Sequence, residues 1–352
     1  MEQEQCQHSD EERAIRGVWV TEEVKKAVEM GYIILRTYEV YHFPQTSKDL
    51  FKAYIDTFLK IKQEASGWPS GCSTDEEKNE YIRCYEDHEG IKLEKEKVTK
   101  NAGLRAVAKL ALNSFWGRFG MRENLKQTTF VKSTPDMNCF LSDPKISISG
   151  MSVINESVME MTWTYKDEHM PQPTATNIFI AAFTTCHARL KLYSALQQLN
   201  SNALYYDTDS VLYISDGRND PPLGDYLGDF TDELAGDHIV SFISGGPKNY
   251  AYRTSKGKEC LKVRGFTLNH TASQKITFDN MHQLISTFRR VRTGVKRQKV
   301  QEEEGITIIN PHKITRDKAG KRLITKEERK KYQVVYDKRV LQPDFFTLPY
   351  GY

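Results

Sequence analysis

The chain has 352 residues, of which 39% are hydrophobic and 28% charged, a composition that excludes a fibrous or wholly disordered protein. Its net charge is only +3, but residues 248–352 carry +14 and the residues before them carry −11. A basic C-terminal third indicates a polyanion such as nucleic acid as a partner, although a lysine-rich soluble surface has the same composition.

The sequence does not suggest a membrane or secreted protein. The apolar run IFIAAF, residues 178–183, is too short to cross a bilayer. The first residues lack the apolar core of a signal peptide. The six cysteines are scattered and form no C-x-x-C pair, so we expect reduced thiols in an intracellular protein without a membrane partner.

The first part of the chain predicts two helices with a strand between them. The first helix has Thr21 as its expected N-cap and stops at Gly31. Aromatic and β-branched residues then predict a strand over residues 32–42. An amphipathic helix is predicted over residues 47–65, with Ser47 as its cap, and a Gly- and Pro-containing loop follows at 67–80.

The rest of the chain predicts further helices and hairpins. A helix within residues 101–120 is expected to close at Trp116 and Gly117, whereas residues 121–175 read as an irregular or β-rich insertion. A long helix, 173–200, leads into a hairpin at 203–214. Because helices and hairpins alternate without a βαβ rhythm, the predicted fold class is α+β.

The stretch YYDTDSVLY, residues 205–213, places two carboxylates at the tip of that hairpin. We predict a turn made of Asp207, Thr208 and Asp209, with both aspartates on the same side. Such a pair repels itself unless a cation lies between, and Mg²⁺ suits it. A metal-free acidic turn is an equal alternative, while a Ca²⁺ loop or an aspartic-protease motif would need a glycine that is absent here.

A stripe of polar residues follows one face of the helix at 104–116. Arg105, Lys109 and Asn113 are spaced four residues apart, and Trp116 follows them. In this row, two cations are followed by an amide and an indole. Such a row suits a nucleoside triphosphate, because the cations can bind the phosphates and the amide and indole can contact the base. The alternative is an ordinary solvent-facing stripe on an amphipathic helix.

Two motifs in order resemble those of family B DNA polymerases. KLALNSFWG at 109–117 resembles motif B, K-x-x-x-N-S-x-Y-G, and YYDTDS at 205–210 resembles motif C, Y-x-D-T-D-S. GPKNYAY at 246–252 is similar to the K-x-Y element of the protein-primed branch, and KVRGF at 262–266 to the segment after it. GVWVTEEVKKAVEMGY near the N-terminus and the closing VYDKRV and LPYGY resemble polymerases of Maverick/Polinton-type mobile elements and related viruses.

The resemblance implies a role for each matching residue. Asp209 would be a direct ligand of catalytic Mg²⁺ and Asp207 a supporting one. The residues implied to bind the incoming dNTP are Arg105, Lys109, Asn113, Trp116 and Tyr205. The residues implied to grip primer–template DNA are Lys248, Tyr250, Lys262 and Arg264.

The resemblance also implies a right-hand polymerase architecture. Its expected segments are 1–88, adjacent to the palm; 89–120, the fingers; 121–175, an insertion; 176–266, the palm; and 267–352, the thumb. The implied partners are primer–template DNA, dNTP and a terminal priming protein. The implied location is intracellular, in the nucleus for a mobile element or in association with a virus.

Two departures from the family pattern leave alternatives open. Trp116 stands where the family more often has Tyr, which leaves sugar selection in doubt. The motif A pattern, D-x-x-S-L-Y-P, and an exonuclease domain are absent, so we expect the chain to be the C-terminal part of a longer polymerase. An inactive copy that only binds DNA is the alternative. A two-metal nuclease lacks the ordered motif pair, and a reverse transcriptase usually has Y-x-D-D.

Overall fold

The structure is a computed structural model, and it describes most of the chain. The described residues are 9–172, 176–224, 226–292, 305–317, 320–334, 339–341 and 347–349. They fall into two compact units, of which unit 1 comprises Met1–Arg122 with Gln172–Thr231 and unit 2 comprises Glu123–Pro171 with Asp232–Tyr352. The mixture of helices and strands agrees with the α+β prediction.

Unit 1 is built mainly from helices and carries one hairpin. Its elements are α1 (Thr21–Glu29), α2 (Lys52–Glu64), α3 (Asp75–Glu89), α4 (Ala102–Phe119), α6 (Ile178–Leu199), β4 (Ala203–Asp207) and β5 (Ser210–Tyr213). Helix α2 packs along α4, and α4 also contacts α6.

A buried cluster joins α2 and α3 to the chain that leads into α4. Its buried members are Leu59, Tyr85, Ile91, Leu93 and Val98. Burying side chains of this size contributes about 1.5–3 kcal/mol each. A capping box at Thr74 and Glu77 fixes the start of α3, because each side chain accepts from the other residue's backbone N–H. Packing within this cluster therefore fixes α2 and α3 against the segment that leads into α4.

Several predictions for unit 1 were wrong in detail. The N-cap of α1 is Val20 rather than Thr21, and it makes no side-chain cap hydrogen bond. The N-cap of α2 is Phe51, four residues after the predicted cap Ser47. Helix α4 continues past Gly117 to Phe119, because the aromatic residues of its last turn pack on one another.

The predicted strand at residues 32–42 was also wrong. The described backbone there belongs to no β-sheet. Ile33 and Val40 are 83% and 75% exposed, respectively. Strand propensity alone does not form a strand, because a strand needs a paired neighbour to satisfy its backbone groups.

Unit 2 contains most of the β-structure. Its elements are β1 (Gln127–Val131), α5 (Thr134–Ser142), β2 (Ile146–Asn155), β3 (Val158–Tyr165), β6 (Ile239–Ser244), β7 (Tyr250–Thr254), β8 (Glu259–Lys262), α7 (His270–Lys275), α8 (Phe278–Arg292), β9 (Ile306–Asp317), β10 (Arg322–Tyr332), β11 (Arg339–Leu341) and β12 (Thr347–Pro349). Residues 123–171 are rich in β-structure and form a sheet with strand order β1-β3-β2.

The second sheet of unit 2 is an antiparallel meander of order β6-β7-β8. One face of β7 is core, since Ala251 is fully buried among residues of α7, α8 and the β9–β10 hairpin. On β3, Met161 is fully buried, and Lys326 of β10 donates to the Glu160 carboxylate at 2.6 Å. The closing motifs VYDKRV and LPYGY lie mostly outside the described residues.

Among the described residues, every helix is too short or too polar to traverse a lipid bilayer.

Candidate functional site

The β4–β5 hairpin holds the two aspartates. Its loop has two residues, Thr208 and Asp209, because Asp207 is already paired with Ser210. Thr208 has a φ of 56°, and the Asp209 N–H donates to the Asp207 carbonyl at 2.6 Å. The hairpin was therefore predicted correctly, but Asp207 is a strand residue rather than a turn residue. Asp209 lies beyond the end of β4, so strand alternation does not place its side chain on the same side as that of Asp207.

The two carboxylates have different surroundings. Asp207 is half-buried and on the same strand face as Tyr205, and its Oδ1 accepts from the Thr208 hydroxyl at 3.1 Å. Asp209 is exposed. Carboxylate oxygens are ligands that Mg²⁺ prefers, and water and phosphate oxygens commonly complete its shell. Within the described ranges, no three acidic, histidine or cysteine side chains gather into a fuller metal site.

The polar stripe lies on α4 as predicted. Asn101 caps this helix, since its Oδ1 accepts from the Leu104 N–H at 3.0 Å. Arg105, Lys109 and Asn113 are all exposed on the helix. An Asn cap followed by helix-forming Ala and Leu residues explains why this segment folds as a helix locally.

A third cation, Lys62 of α2, lies beside the stripe and was missed from the sequence. It is half-buried, and its pKa is lowered by burial and then by the positive charges of Arg105 and Lys109. The Arg105 Nε also donates to the Ser66 Oγ at 3.1 Å, which attaches the stripe to the end of α2. We call Lys62, Arg105 and Lys109 the three-cation cluster. A group of cations on one surface attracts an anionic ligand.

The backbone fixes the geometry of the three-cation cluster. The Asn101 N–H donates to the Ala65 carbonyl at 2.9 Å, so the end of α2 is attached to the cap of α4. The buried Glu64 accepts the Glu94 N–H on its Oε1 at 2.8 Å. Gly67 has a φ of +78°, and a Cβ there would come within 3.2 Å of the Lys100 backbone nitrogen. The turn after α2 therefore favours glycine.

Trp116 lies in an aromatic cluster at the end of α4. It is half-buried, and its ring meets Phe51 edge-on at a centroid distance of 5.3 Å and Phe115 at 5.2 Å. Tyr54 stacks on Phe115 at 4.3 Å and donates its hydroxyl to a carbonyl of α4. Contacts with α2 thus set the orientation of the indole.

The four predicted DNA-binding residues belong to unit 2. Tyr250 on β7 is paired in register with Lys262 on β8, so their side chains are cross-strand neighbours. Lys248 lies in the turn before β7, and Arg264 is exposed after β8. The sheet thus places Tyr250 of the K-x-Y element beside the lysine of KVRGF.

Comparison with known proteins gives one family. The sequence model of the family described as DNA polymerase type B, organellar and viral, matches residues 77–204. The match includes most of α3, the whole of α4 with its stripe, and α6, and it ends immediately before Tyr205. No curated protein and no solved structure matches the chain. Through residues 77–204, the chain is similar to the type B DNA polymerases of organelles and viruses.

Proposed function

We propose that the chain is a catalytic part of a DNA-templated DNA polymerase that adds dNMP units to a primer 3′-OH. The observation that carries the proposal is the three-cation cluster, of which Arg105 and Lys109 on α4 lie within the segment similar to type B DNA polymerases, while Lys62 of α2 lies beside them and outside that segment. A cluster of cations ending in an amide and an indole suits a nucleoside triphosphate better than it suits DNA alone.

The three-cation cluster binds the triphosphate of the incoming dNTP. Lys62 is half-buried, and its pKa is lowered by burial and by Arg105 and Lys109, against the opposite effect of the Glu89 carboxylate. A triphosphate would add negative charge beside these cations and would gain a charge-assisted hydrogen bond from each of them. Arg105 is held by Ser66, so its guanidinium is oriented before the nucleotide arrives.

The residues at the end of α4 contact the nucleoside. Asn113 offers an amide one turn beyond Lys109, and Trp116 offers a ring held by Phe51. In this assignment, they line the nascent base pair, and Tyr205 packs beneath the sugar. The family more often has Tyr at the position of Trp116. The indole ring of Trp116 would set the size of the sugar pocket, but it has no phenolic hydroxyl.

Asp209 and Asp207 would hold Mg²⁺ at the tip of the hairpin. When bound, the metal would lower the pKa of the primer 3′-OH and stabilise charge on the transferring phosphate. Asp207 is oriented by Thr208, whereas Asp209 is exposed to the incoming ligand. Asp207 ends β4, and Asp209 lies in the two-residue loop that joins β4 to β5.

The remaining assignments follow the family. Lys248, Tyr250, Lys262 and Arg264 bind the primer–template backbone, and the basic residues of the C-terminal third add salt-sensitive affinity. The right-hand architecture, with the segments 1–88, 89–120, 121–175, 176–266 and 267–352, is part of this proposal. So are the terminal priming protein, the similarity to Maverick/Polinton-type elements, and action in the nucleus or in association with a virus.

The direct test is primer extension by the purified chain with Mg²⁺ and the four dNTPs. We expect template-directed addition that Asp209→Asn removes, while the charge-matched control Asp49→Asn, on an exposed residue of the same unit, retains it. Equal extension by the Asp209→Asn variant would overturn the metal-site assignment.

A second candidate function is DNA and nucleotide binding without catalysis. The observation in its favour is that the 352 residues contain no D-x-x-S-L-Y-P segment to supply a further carboxylate for a two-metal site. This candidate predicts that the purified chain binds primer–template but adds no nucleotide. Extension by the chain alone would exclude it.

A further inference from the structure

The turn between β6 and β7 contains an unusual residue for its backbone conformation. The Asn249 N–H donates to the Gly246 carbonyl at 3.1 Å, which closes a four-residue turn with Pro247 second and Lys248 third. The φ of Lys248 is +58°. A proline at the second position and a positive φ at the third are features of a type II turn, where the third residue is normally Gly or Asn.

Lysine therefore carries backbone strain at this position. Its Cβ crowds the backbone when φ is positive, and glycine or asparagine would relieve that strain. Two glycines, Gly245 and Gly246, come before Pro247. The position with the positive φ, which most favours glycine, nevertheless holds Lys248. Strain retained in a short turn is a sign that the side chain itself is needed there.

Asn249 holds this turn together from inside. Asn249 is only 5% exposed. Its side-chain Nδ2 donates to the Gly245 carbonyl at 3.2 Å, and its backbone carbonyl accepts the Gly245 N–H at 2.8 Å. A Cβ on Gly245 would come within 2.7 Å of the Asn249 Nδ2, so the two residues are in close contact. The side-chain amide thus links the two ends of the loop that contains Lys248.

The turn opens onto the strand that carries Tyr250. Tyr250 is paired with Lys262, so two cationic residues and one phenol are near one end of the meander. We propose that Asn249 is a positioning residue, which holds Lys248 in its left-handed conformation so that the ammonium binds a backbone phosphate of DNA beside Tyr250 and Lys262. This inference rests on the proposed function, because it requires DNA to be the ligand of this turn.

The first test separates the charge of Lys248 from its strain. In Lys248→Asn, the new residue tolerates a positive φ but has no charge, so we expect an unchanged or higher Tm. We also expect at least about 5-fold weaker binding of primer–template DNA and a salt dependence reduced by about one phosphate, or about 0.9 in slope. The matched control is Lys256→Asn, an exposed lysine in the turn at the other end of β7, which should leave the slope unchanged.

The second test is a double-mutant cycle on DNA affinity. Asn249→Ala should weaken DNA binding when Lys248 is present and have little further effect in the Lys248→Asn background. A purely structural Asn249 would lower the Tm and weaken binding by the same factor in both backgrounds. If Asn249→Ala does not fold, Asn249→Asp serves instead, because it keeps the size of the side chain and removes the Nδ2 donor.

The outcomes distinguish this inference from the proposed function. A chain that binds no primer–template DNA contradicts both. DNA binding with an unchanged salt slope in Lys248→Asn overturns the phosphate contact of this turn and leaves the proposed function in place. A changed slope with additive effects of Asn249 overturns the positioning role alone. A changed slope with non-additive effects supports the inference.

Discussion

Replacing Lys62 with methionine should change stability and nucleotide affinity in opposite directions. Methionine keeps the length of the side chain and removes a charge that stands beside Arg105 and Lys109. Relief from two like-charged neighbours, at about 0.2–0.5 kcal/mol each, and from the buried charge outweighs the lost attraction to Glu89, so the apo chain should be stabilised by no more than about 1 kcal/mol. Loss of a charge-assisted hydrogen bond to the triphosphate costs about 1.5–3 kcal/mol, or about 10- to 160-fold in dNTP affinity.

The assay is equilibrium dialysis of a radiolabelled dNTP with Mg²⁺ and primer–template, together with thermal unfolding of the apo chain. Lys60→Met is the matched control, since Lys60 is on the same helix but donates to Glu94 at 2.7 Å. It should lower the Tm and leave dNTP affinity nearly unchanged. A Lys62→Met chain that binds dNTP as tightly as the native chain would refute the assignment of Lys62 to the triphosphate.

The lowered pKa of Lys62 also predicts the direction in which the stability of the chain changes with pH. Burial and its two cationic neighbours lower the pKa of Lys62 below its usual 10.5. The folded chain therefore releases this proton at a lower pH than the unfolded chain, so stability from Lys62 rises as the pH increases through the folded pKa towards 10.5. Subtracting the Lys62→Met curve from the native curve isolates this rise. A difference that falls with pH in that window would contradict the pKa direction.

Three further predictions concern pH and stability. Hydrogen bonds from Lys60 and Lys97 lower the pKa of Glu94 to about 2, so its stabilisation is complete above about 4.5 and is lost as the pH falls towards 2. Glu94→Gln should flatten that part of an acid-unfolding curve, and an unchanged curve would exclude the effect. Met161→Ala should cost about 2–5 kcal/mol in urea unfolding, since Met161 is fully buried, and a cost below about 1 kcal/mol would contradict its core position. Tyr54→Phe should cost about 0.5–1.5 kcal/mol through its lost hydrogen bond to α4, and an unchanged midpoint would show that this bond contributes nothing.

The features that sequence predicted well depend on local interactions. Helix α4 and the β4–β5 hairpin follow from periodicity and β-propensity within a few residues, and both are present. The stripe of Arg105, Lys109 and Asn113 needed only helical geometry.

The features that sequence did not predict depend on tertiary contacts. Lys62 is 43 residues before Arg105, and only the packing of α2 on α4 brings them together. A lysine near the end of an otherwise amphipathic helix was the available signal, but it does not identify its neighbours. The left-handed Lys248 was equally hidden, because the pattern G-P-K-N indicates a turn and not which residue carries a positive φ.

The predicted positions of some helix and strand boundaries were wrong for a related reason. Ser47 is a suitable N-cap, yet α2 begins at Lys52. Its N-cap is Phe51, whose ring packs on the aromatic residues of α4. The segment at residues 32–42 has strand propensity but no sheet neighbour among the described residues. Cap and strand preferences of single residues were therefore outweighed by packing.

The most direct test of the account measures whether the template selects the nucleotide that the three-cation cluster binds. A primer with a dideoxy 3′ end blocks addition, so the dissociation constant of each dNTP can be measured on the complex of the chain with primer–template and Mg²⁺. We predict that the dNTP complementary to the template base binds at least about 10-fold more tightly than the other three, and that Lys109→Ala removes this affinity. Equal affinity for all four dNTPs, or dNTP affinity that does not depend on primer–template, would contradict it.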